Sequence, residues 1–135
     1  MALFLFVKAA LDNKEIDVYN YGNMSRDFTY VDDIINGIYK LILNRLNIFK
    51  KYKTNYRIYN IGNSNPVRLV DFISAIEKKL DLNLKKKLLP IQPGDVSDTY
   101  SDVKNLISDC DYKPNTDIQY GVDKFIDWYK NYYKV

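Results

Sequence analysis

Apolar residues recur along this chain in more than one rhythm. Leu3, Phe6, Val7 and Ala10 keep helical spacing and predict an amphipathic helix over residues 1–13. Ile16 and Val18 then alternate with Asp17 and Tyr19, the period of a half-buried strand running from Ile16 to Tyr21, and Gly22-Asn23 reads as a turn. After the short apolar stretch Phe28 to Val31, Asp32-Asp33 open a helix with Ile34, Ile38, Leu41, Ile42 and Arg45 on one face. The two carboxylates suit the positive end of its dipole and read as helix capping rather than as a metal or acid–base pair. A polar, lysine-rich linker is expected over roughly 44–55. Arg57 to Ile61 is rich in β-formers and ends at Gly62, which predicts a strand.

Asn65-Pro66 marks the start of a further helix, proline being tolerated at the first helical position, and Leu69, Phe72, Ile73, Ile76 and Leu80 form its buried face. Lys85 to Ile91 is a candidate strand broken by Gln92-Pro93-Gly94-Asp95, and a short helix is expected around Val103 to Ser108. Thr116-Asp117-Ile118-Gln119 fits a capping box before a last helix carrying Val122, Phe125, Ile126, Tyr129 and Tyr133. Strand-then-helix units predict an α/β fold, mixed α+β for the chain taken by itself. The strands are few, since an average sheet has about five or six. The chain therefore reads as one partial domain over residues 1–135.

Composition narrows the chemistry. There is no histidine and a single cysteine, Cys110, among 135 residues. Imidazole-dependent nucleophile systems, the usual zinc sites and an internal disulfide are thereby excluded. Cys110 lies between Asp109 and Asp111, which raise a thiol pKa, so an inert thiol is expected. The apolar run Ala2 to Val7 is too short to span a bilayer and lacks the flanks of a signal peptide, so a cytoplasmic location without membrane contact is the expectation. Net charge is +3, and only four of the 20 basic residues are arginine. The lysine clusters at 50–53 and 85–87 read as solvated loops, and no nucleic-acid partner is expected.

The motifs are Tyr19-Asn20-Tyr21-Gly22, Arg26-Asp27-Phe28-Thr29-Tyr30-Val31-Asp32-Asp33, Tyr59-Asn60-Ile61-Gly62-Asn63-Ser64 and Gln92-Pro93-Gly94-Asp95-Val96. In this order and spacing, with Met-Ala-Leu-Phe at the start and Phe125-Ile126-Asp127-Trp128-Tyr129 near the end, the whole chain resembles the C-terminal part of NAD-dependent nucleotide-sugar epimerases and dehydratases. These are extended short-chain dehydrogenase/reductase proteins, and the UDP-glucuronate 4-epimerases are the most similar branch. The resemblance implies a substrate-binding lobe without the dinucleotide-binding core. NAD serves the full-length family, whereas no cofactor is expected in this chain. Its glycines, at 22, 37, 62, 94 and 121, are never close enough to form a phosphate-cradling turn. The family's catalytic Tyr and Lys, four residues apart, fall upstream of Met1. Tyr100/Lys104 and Tyr120/Lys124 share the spacing, as chance allows for so many tyrosines and lysines, so no catalytic residue is assigned.

By resemblance, Arg26 contacts the UDP diphosphate, which suits a guanidinium fork on a polar loop; a structural ion pair with Asp27 or Asp32 is the plainer alternative. The segment Asp17, Val18 and Tyr19 is implied to meet the uracil through its backbone. Gln92 and Asp95 lie on the loop implied to close over the nucleotide, Gln92 standing where many relatives carry arginine, and Asp95 is a candidate acceptor for a ribose hydroxyl. Thr99 lies near the position implied to limit the sugar substituent. The expected ligand is a weakly held UDP-sugar: UDP-glucuronate, with another such as UDP-N-acetylglucosamine, or a non-catalytic binding remnant, as alternatives. Apolar residues such as Ile34, Ile38, Ile58 and Ile61 would lose a covering layer without the dinucleotide-binding lobe. Self-association, or a separately supplied N-terminal half, is therefore expected.

Overall fold

The computed structural model describes residues 2–135, so Met1 of the first predicted helix lies outside the described residues. In chain order the elements are α1 (Ala2–Leu11), β1 (Ile16–Val18), a 3-10 turn (Tyr19–Gly22), β2 (Ser25–Arg26), α2 (Val31–Tyr52), β3 (Val67–Arg68), α3 (Leu69–Leu80), β4 (Lys86–Leu88), α4 (Lys104–Cys110) and α5 (Ile118–Tyr133). They make a mixed α/β architecture in two compact units. One is formed by residues 2–26, 67–99 and 117–135, the other by residues 27–66 and 100–116.

In the first unit β1 pairs in parallel with β4, Ile16 opposite Lys86 and Val18 opposite Leu88, while β2 pairs antiparallel with β3. The core lies between α3 and α5, where Phe72, Ile73 and Ile76 and Val122, Ile126 and Tyr129 are buried together with Phe6 and Val7 of α1. Aromatic rings knit α1 to both helices, Phe6 lying 6.3 Å from Phe72 and Phe4 5.3 Å from Tyr129, centroid to centroid. The last helix is capped differently from the expected box. Asp117, not Thr116, is the N-cap and accepts from the Gln119 N–H, while the Gln119 amide donates to the Ala75 carbonyl and to Asp123. An aspartate one residue nearer the helix outcompetes a threonine for the same donor.

In the second unit α2 packs on α4, around buried Val103, Leu106, Cys110 and Tyr112 with Leu41, Ile48, Tyr59 and Ile61 against them. Here the linker expected over 44–55 is instead mostly helix. Ile42, Leu46 and Phe49 continue the 3.6-residue spacing through the polar stretch, and Lys50 and Lys51 suit the negative C-terminal end. The helix stops where Lys53 turns left-handed at φ 55°. Much of the apolar surface of α2 is bare: Ile35, Ile42, Leu43 and Leu46 are all more than half exposed. Asp33 does not cap α2 through its side chain. It is buried, and its carboxylate accepts the Thr116 N–H at 3.2 Å.

The segment Arg57 to Ile61 forms no strand among the described residues, since a β-forming sequence needs a neighbouring ladder to become one. Side chains hold it instead. Asp109, whose side chain is fully buried, accepts from Lys51 Nζ at 2.7 Å, Tyr52 Oη at 2.8 Å and Tyr59 Oη at 2.8 Å, and pairs with Arg57 Nε at 3.1 Å. The Arg57 guanidinium also stacks 3.7 Å from the Tyr52 ring centroid. Burial alone would push the Asp109 carboxyl up, but the Lys51, Tyr52 and Tyr59 hydrogen bonds win and hold it at about 2. Burial, followed by the bond to Asp109, pushes the Tyr59 hydroxyl up to about 12. Burial likewise raises the neighbouring Cys110 thiol, with the Asp109 charge adding to it, in keeping with an inert thiol.

Candidate functional site

All seven residues singled out from the sequence belong to the first unit, on two adjoining stretches of chain. The first stretch is β1 and the turn that leads out of it. The strand is shorter than expected, ending at Val18, because Asn20 and Tyr21 take left-handed φ values of 49° and 53° and Gly22 comes next at φ 84°. Asparagine tolerates that region, and its side-chain amide secures it by donating to the Asn23 carbonyl at 2.6 Å. Gly22 is buried, and its φ of 84° favours glycine, with Val70 Cγ1 3.2 Å from where a Cβ would sit making the space tight as well. The turn brings the chain back into β2, which ends on Arg26.

Residues 89–99 form the second stretch, tied down at both ends. At its start Leu89 N–H donates to the Val18 carbonyl at 2.9 Å and Tyr21 N–H to the Leu89 carbonyl at 3.0 Å. At its end Ser25 N–H donates to the Ser97 carbonyl at 2.8 Å and Thr99 N–H to the Ser25 carbonyl at 3.3 Å, beside the parallel bridge from Ser25 to Asp98. Between these anchors the chain turns at Gln92–Asp95, where Asp95 N–H donates to the Gln92 carbonyl and Gly94 sits at φ 84°.

The structure joins Arg26 to Asp95 and ties Thr99 through its backbone N–H to Ser25, the residue before Arg26. Arg26 Nη2 donates to Asp95 Oδ1 at 2.9 Å, and Nη1 donates to the Ser25 and Ser97 carbonyls at 2.8 and 3.0 Å. The ion pair weighed for Arg26 therefore exists, with a different partner. Asp27 instead accepts the backbone N–H groups of Ser64, Asn65 and Ser101, and Asp32 is exposed. Three of the five guanidinium N–H groups are engaged, leaving two for an anion. Sequence reading missed Asp98, whose carboxylate accepts from the Ser25 hydroxyl and is held below the usual carboxylate range by that bond first, then by Ser97 and the Arg26 charge. The Asp-Val-Ser-Asp run after Gly94 was its signal: two carboxylates three residues apart, close to a turn.

The side chains of Asp17, Val18 and Tyr19 make no hydrogen bond or ion pair to Arg26 or Asp95; their offer is backbone. Ile16 donates to the Lys85 carbonyl and Val18 accepts from Leu89, so both face β4. By the alternation of a parallel ladder, Asp17 turns its N–H and C=O to the other edge of β1, which no described strand covers. Gln92 is exposed on the rim.

Among the described residues no strand passes directly through a glycine turn into an α-helix. β1 runs into the left-handed turn, β4 into the 89–99 stretch, and β3 passes directly into α3 without a glycine. No described group of histidine, cysteine and carboxylate residues is arranged to hold a metal ion. Of the two Tyr/Lys pairs, Lys124 lies over the Tyr120 ring face, 5.3 Å from its centroid. No described helix is long and apolar enough to cross a membrane.

Comparison with known proteins agrees with the motifs. Residues 1–62 match the model of the NAD dependent epimerase/dehydratase family. The chain is 49% identical to Protein CapI of Staphylococcus aureus, over 99% of its own length and 43% of that protein's. It is 34% identical to UDP-glucuronate 4-epimerase 2 of Arabidopsis thaliana, over 99% and 33%. Among solved structures, the UDP-glucuronic acid 4-epimerase of Bacillus cereus in complex with UDP-glucuronic acid and NAD superposes with a TM-score of 0.81 at 27% identity, over 98% of this chain and 40% of that one. The chain thus spans less than half the length of these relatives, and its residues 1–62 belong to the NAD-dependent epimerase/dehydratase family.

Proposed function

We propose that this chain is the nucleotide-sugar-binding portion of a UDP-glucuronate 4-epimerase-like enzyme. The observation that carries the reading is Arg26, fixed by two backbone carbonyls yet holding two N–H groups in reserve, in the same unit as the bare edge of β1. A uracil presents an imide N–H flanked by carbonyls, the complement of the C=O and N–H that Asp17 turns outward, with Val18 and Tyr19 completing the segment. The diphosphate falls to Arg26, where a guanidinium fork meets phosphate oxygens in pairs. Gln92 adds a neutral amide donor, Asp95 accepts from the ribose, and Thr99 borders the sugar end. NAD-dependent inversion at the sugar C4 belongs to the whole protein, because the described residues supply neither a dinucleotide site nor an assigned catalytic pair.

Titrating UDP into the isotope-labelled chain tests this. Amide shifts should concentrate at Asp17–Tyr19, Arg26 and residues 92–99, with a dissociation constant on the order of millimolar, about −4 kcal/mol. Arg26→Ala should weaken binding at least threefold. Shifts confined to α2, or indifference to Arg26→Ala, would overturn the assignment. The purified chain alone should show no epimerisation; turnover without a second polypeptide would contradict the reading equally.

The apolar face of α2 supports the expectation of self-association, or of docking by a separately supplied NAD-binding half. Ile35, Ile42 and Leu46 stand bare on α2, and Leu46 lines a cleft of about 520 Å³ together with Leu41, Phe49, Tyr56 and Tyr59. Light scattering at micromolar concentration should report a species heavier than 15.9 kDa. A lasting monomer would remove this part of the proposal.

A further inference from the structure

We infer that Asp95 is the resident anion of this site: it holds one N–H of the Arg26 guanidinium and yields it when a diphosphate engages the two N–H groups in reserve. The inference rests on the reading of Arg26 as the phosphate contact. Arg26 has three partners, and they are not equivalent. The Ser25 and Ser97 carbonyls are neutral main-chain groups in segments pinned by the Ser25–Ser97 backbone bond, and they fix where the guanidinium sits. Asp95 alone is charged and on a side chain, and it pairs through a single oxygen, Oδ1, that also accepts the Val96 N–H. It is therefore the partner that a phosphate oxygen imitates and replaces. The pair is also reachable, with the two side chains 28% and 33% exposed, so water and salt keep its strength modest.

The local charge favours the exchange. Asp95 pairs with the guanidinium and Asp98, which feels the Arg26 charge, adds a second carboxylate, so these three side chains carry one net negative charge, unfavourable for a diphosphate. Asp98 is not the group that leaves, since it is bonded to the Ser25 hydroxyl and bridged through its backbone to the same residue. Asp95 comes directly after Gly94, which sits at φ 84° with no atom within 4 Å of a notional Cβ, so no neighbouring group packs on the turn at that point. Once displaced, the carboxylate needs donors. The vicinal hydroxyls of a ribose supply them, and an inorganic diphosphate does not. Asp95 thereby becomes a specificity-determining residue: it opposes phosphate in general and relents for a ribonucleoside diphosphate.

The experiment titrates inorganic diphosphate and UDP separately into the chain and its variants, following backbone amide shifts. Asp95→Asn should bind inorganic diphosphate at least threefold more tightly than the parent while gaining less, or losing, for UDP, so the ratio of the two affinities moves toward diphosphate. Asp98→Asn removes the same charge without removing the ion pair and should change diphosphate binding by a smaller factor. Weaker or unchanged diphosphate binding by Asp95→Asn overturns the inference, as does an equal gain from Asp98→Asn, which would reduce the effect to bulk charge. Arg26→Ala separates the two readings. If it weakens neither ligand, the phosphate assignment of Arg26 itself has failed; if it weakens both while Asp95→Asn brings no gain, only the exchange has failed.

Discussion

Asp109 and Asp95 each meet an arginine, and their surroundings make opposite devices of the same chemistry. Asp109 has a fully buried side chain and four partners from the end of α2 and the segment after it, including two tyrosine hydroxyls that keep its lone pairs satisfied. Asp95 is one-third exposed and holds Arg26 through one oxygen. Removing a charge from water is repaid only when every remaining lone pair is met, and such an arrangement does not exchange partners. A half-exposed pair is weaker, and that weakness is what a binding site needs from it. The Asp109 cluster works as a clamp and the Asp95 pair as an exchangeable contact.

The sharpest way to break the contrast is Asp109→Asn, which leaves Lys51 and Arg57 without their counter-charge and should cost about 3 kcal/mol of stability in the second unit, read by denaturant unfolding with a probe in α4. A loss under about 1 kcal/mol would place Asp109 in the same class as Asp95. Acid should reveal the same clamp. The folded value of about 2 lies below the ordinary 3.8, so the stabilisation is complete above about pH 4 and drains away as the pH falls toward 2. Tyr59, raised from 10 to about 12, gives the mirror image: its contribution is whole below pH 10 and lost as the pH climbs to 12. Thermal melts across both limbs check this, and a flat acid limb would contradict it. Tyr59→Phe deletes one hydrogen bond to a charged acceptor and should cost about 1.5 kcal/mol. Smallest of all, Asp95→Asn should alter stability by no more than about 0.5 kcal/mol, although it changes ligand binding.

The helices of the first unit were legible because Leu69, Phe72, Ile73 and Ile76, and Val122, Phe125, Ile126 and Tyr129, are spaced for one face of a helix packed on another. The second half of α2 was not. Its lysines and asparagines resemble a linker, and only the spacing of Ile42, Leu46 and Phe49 betrays the helix. Arg57 to Ile61 has the composition of a strand, but a strand is a relation between two segments, and one segment cannot declare it. At the candidate site the motifs named Arg26 and Asp95 separately. Their pairing spans 69 positions of sequence and depends on how the 89–99 stretch is pinned to β1 and β2, which no local pattern encodes. Asp117 took the cap from Thr116 by a single position, within the usual blur of helix ends.

Cys110 gives the clamp a clock. Its thiol sits one residue beyond Asp109, buried in the core of the second unit and shifted toward the unreactive protonated form. A thiol-specific reagent reaches it only when α4 lifts from α2, and because the sequence holds no other cysteine, each event adds one label to one place. The labelling half-time at fixed pH thus reads out how often the second unit opens, molecule by molecule in a mass spectrum, without any engineered probe.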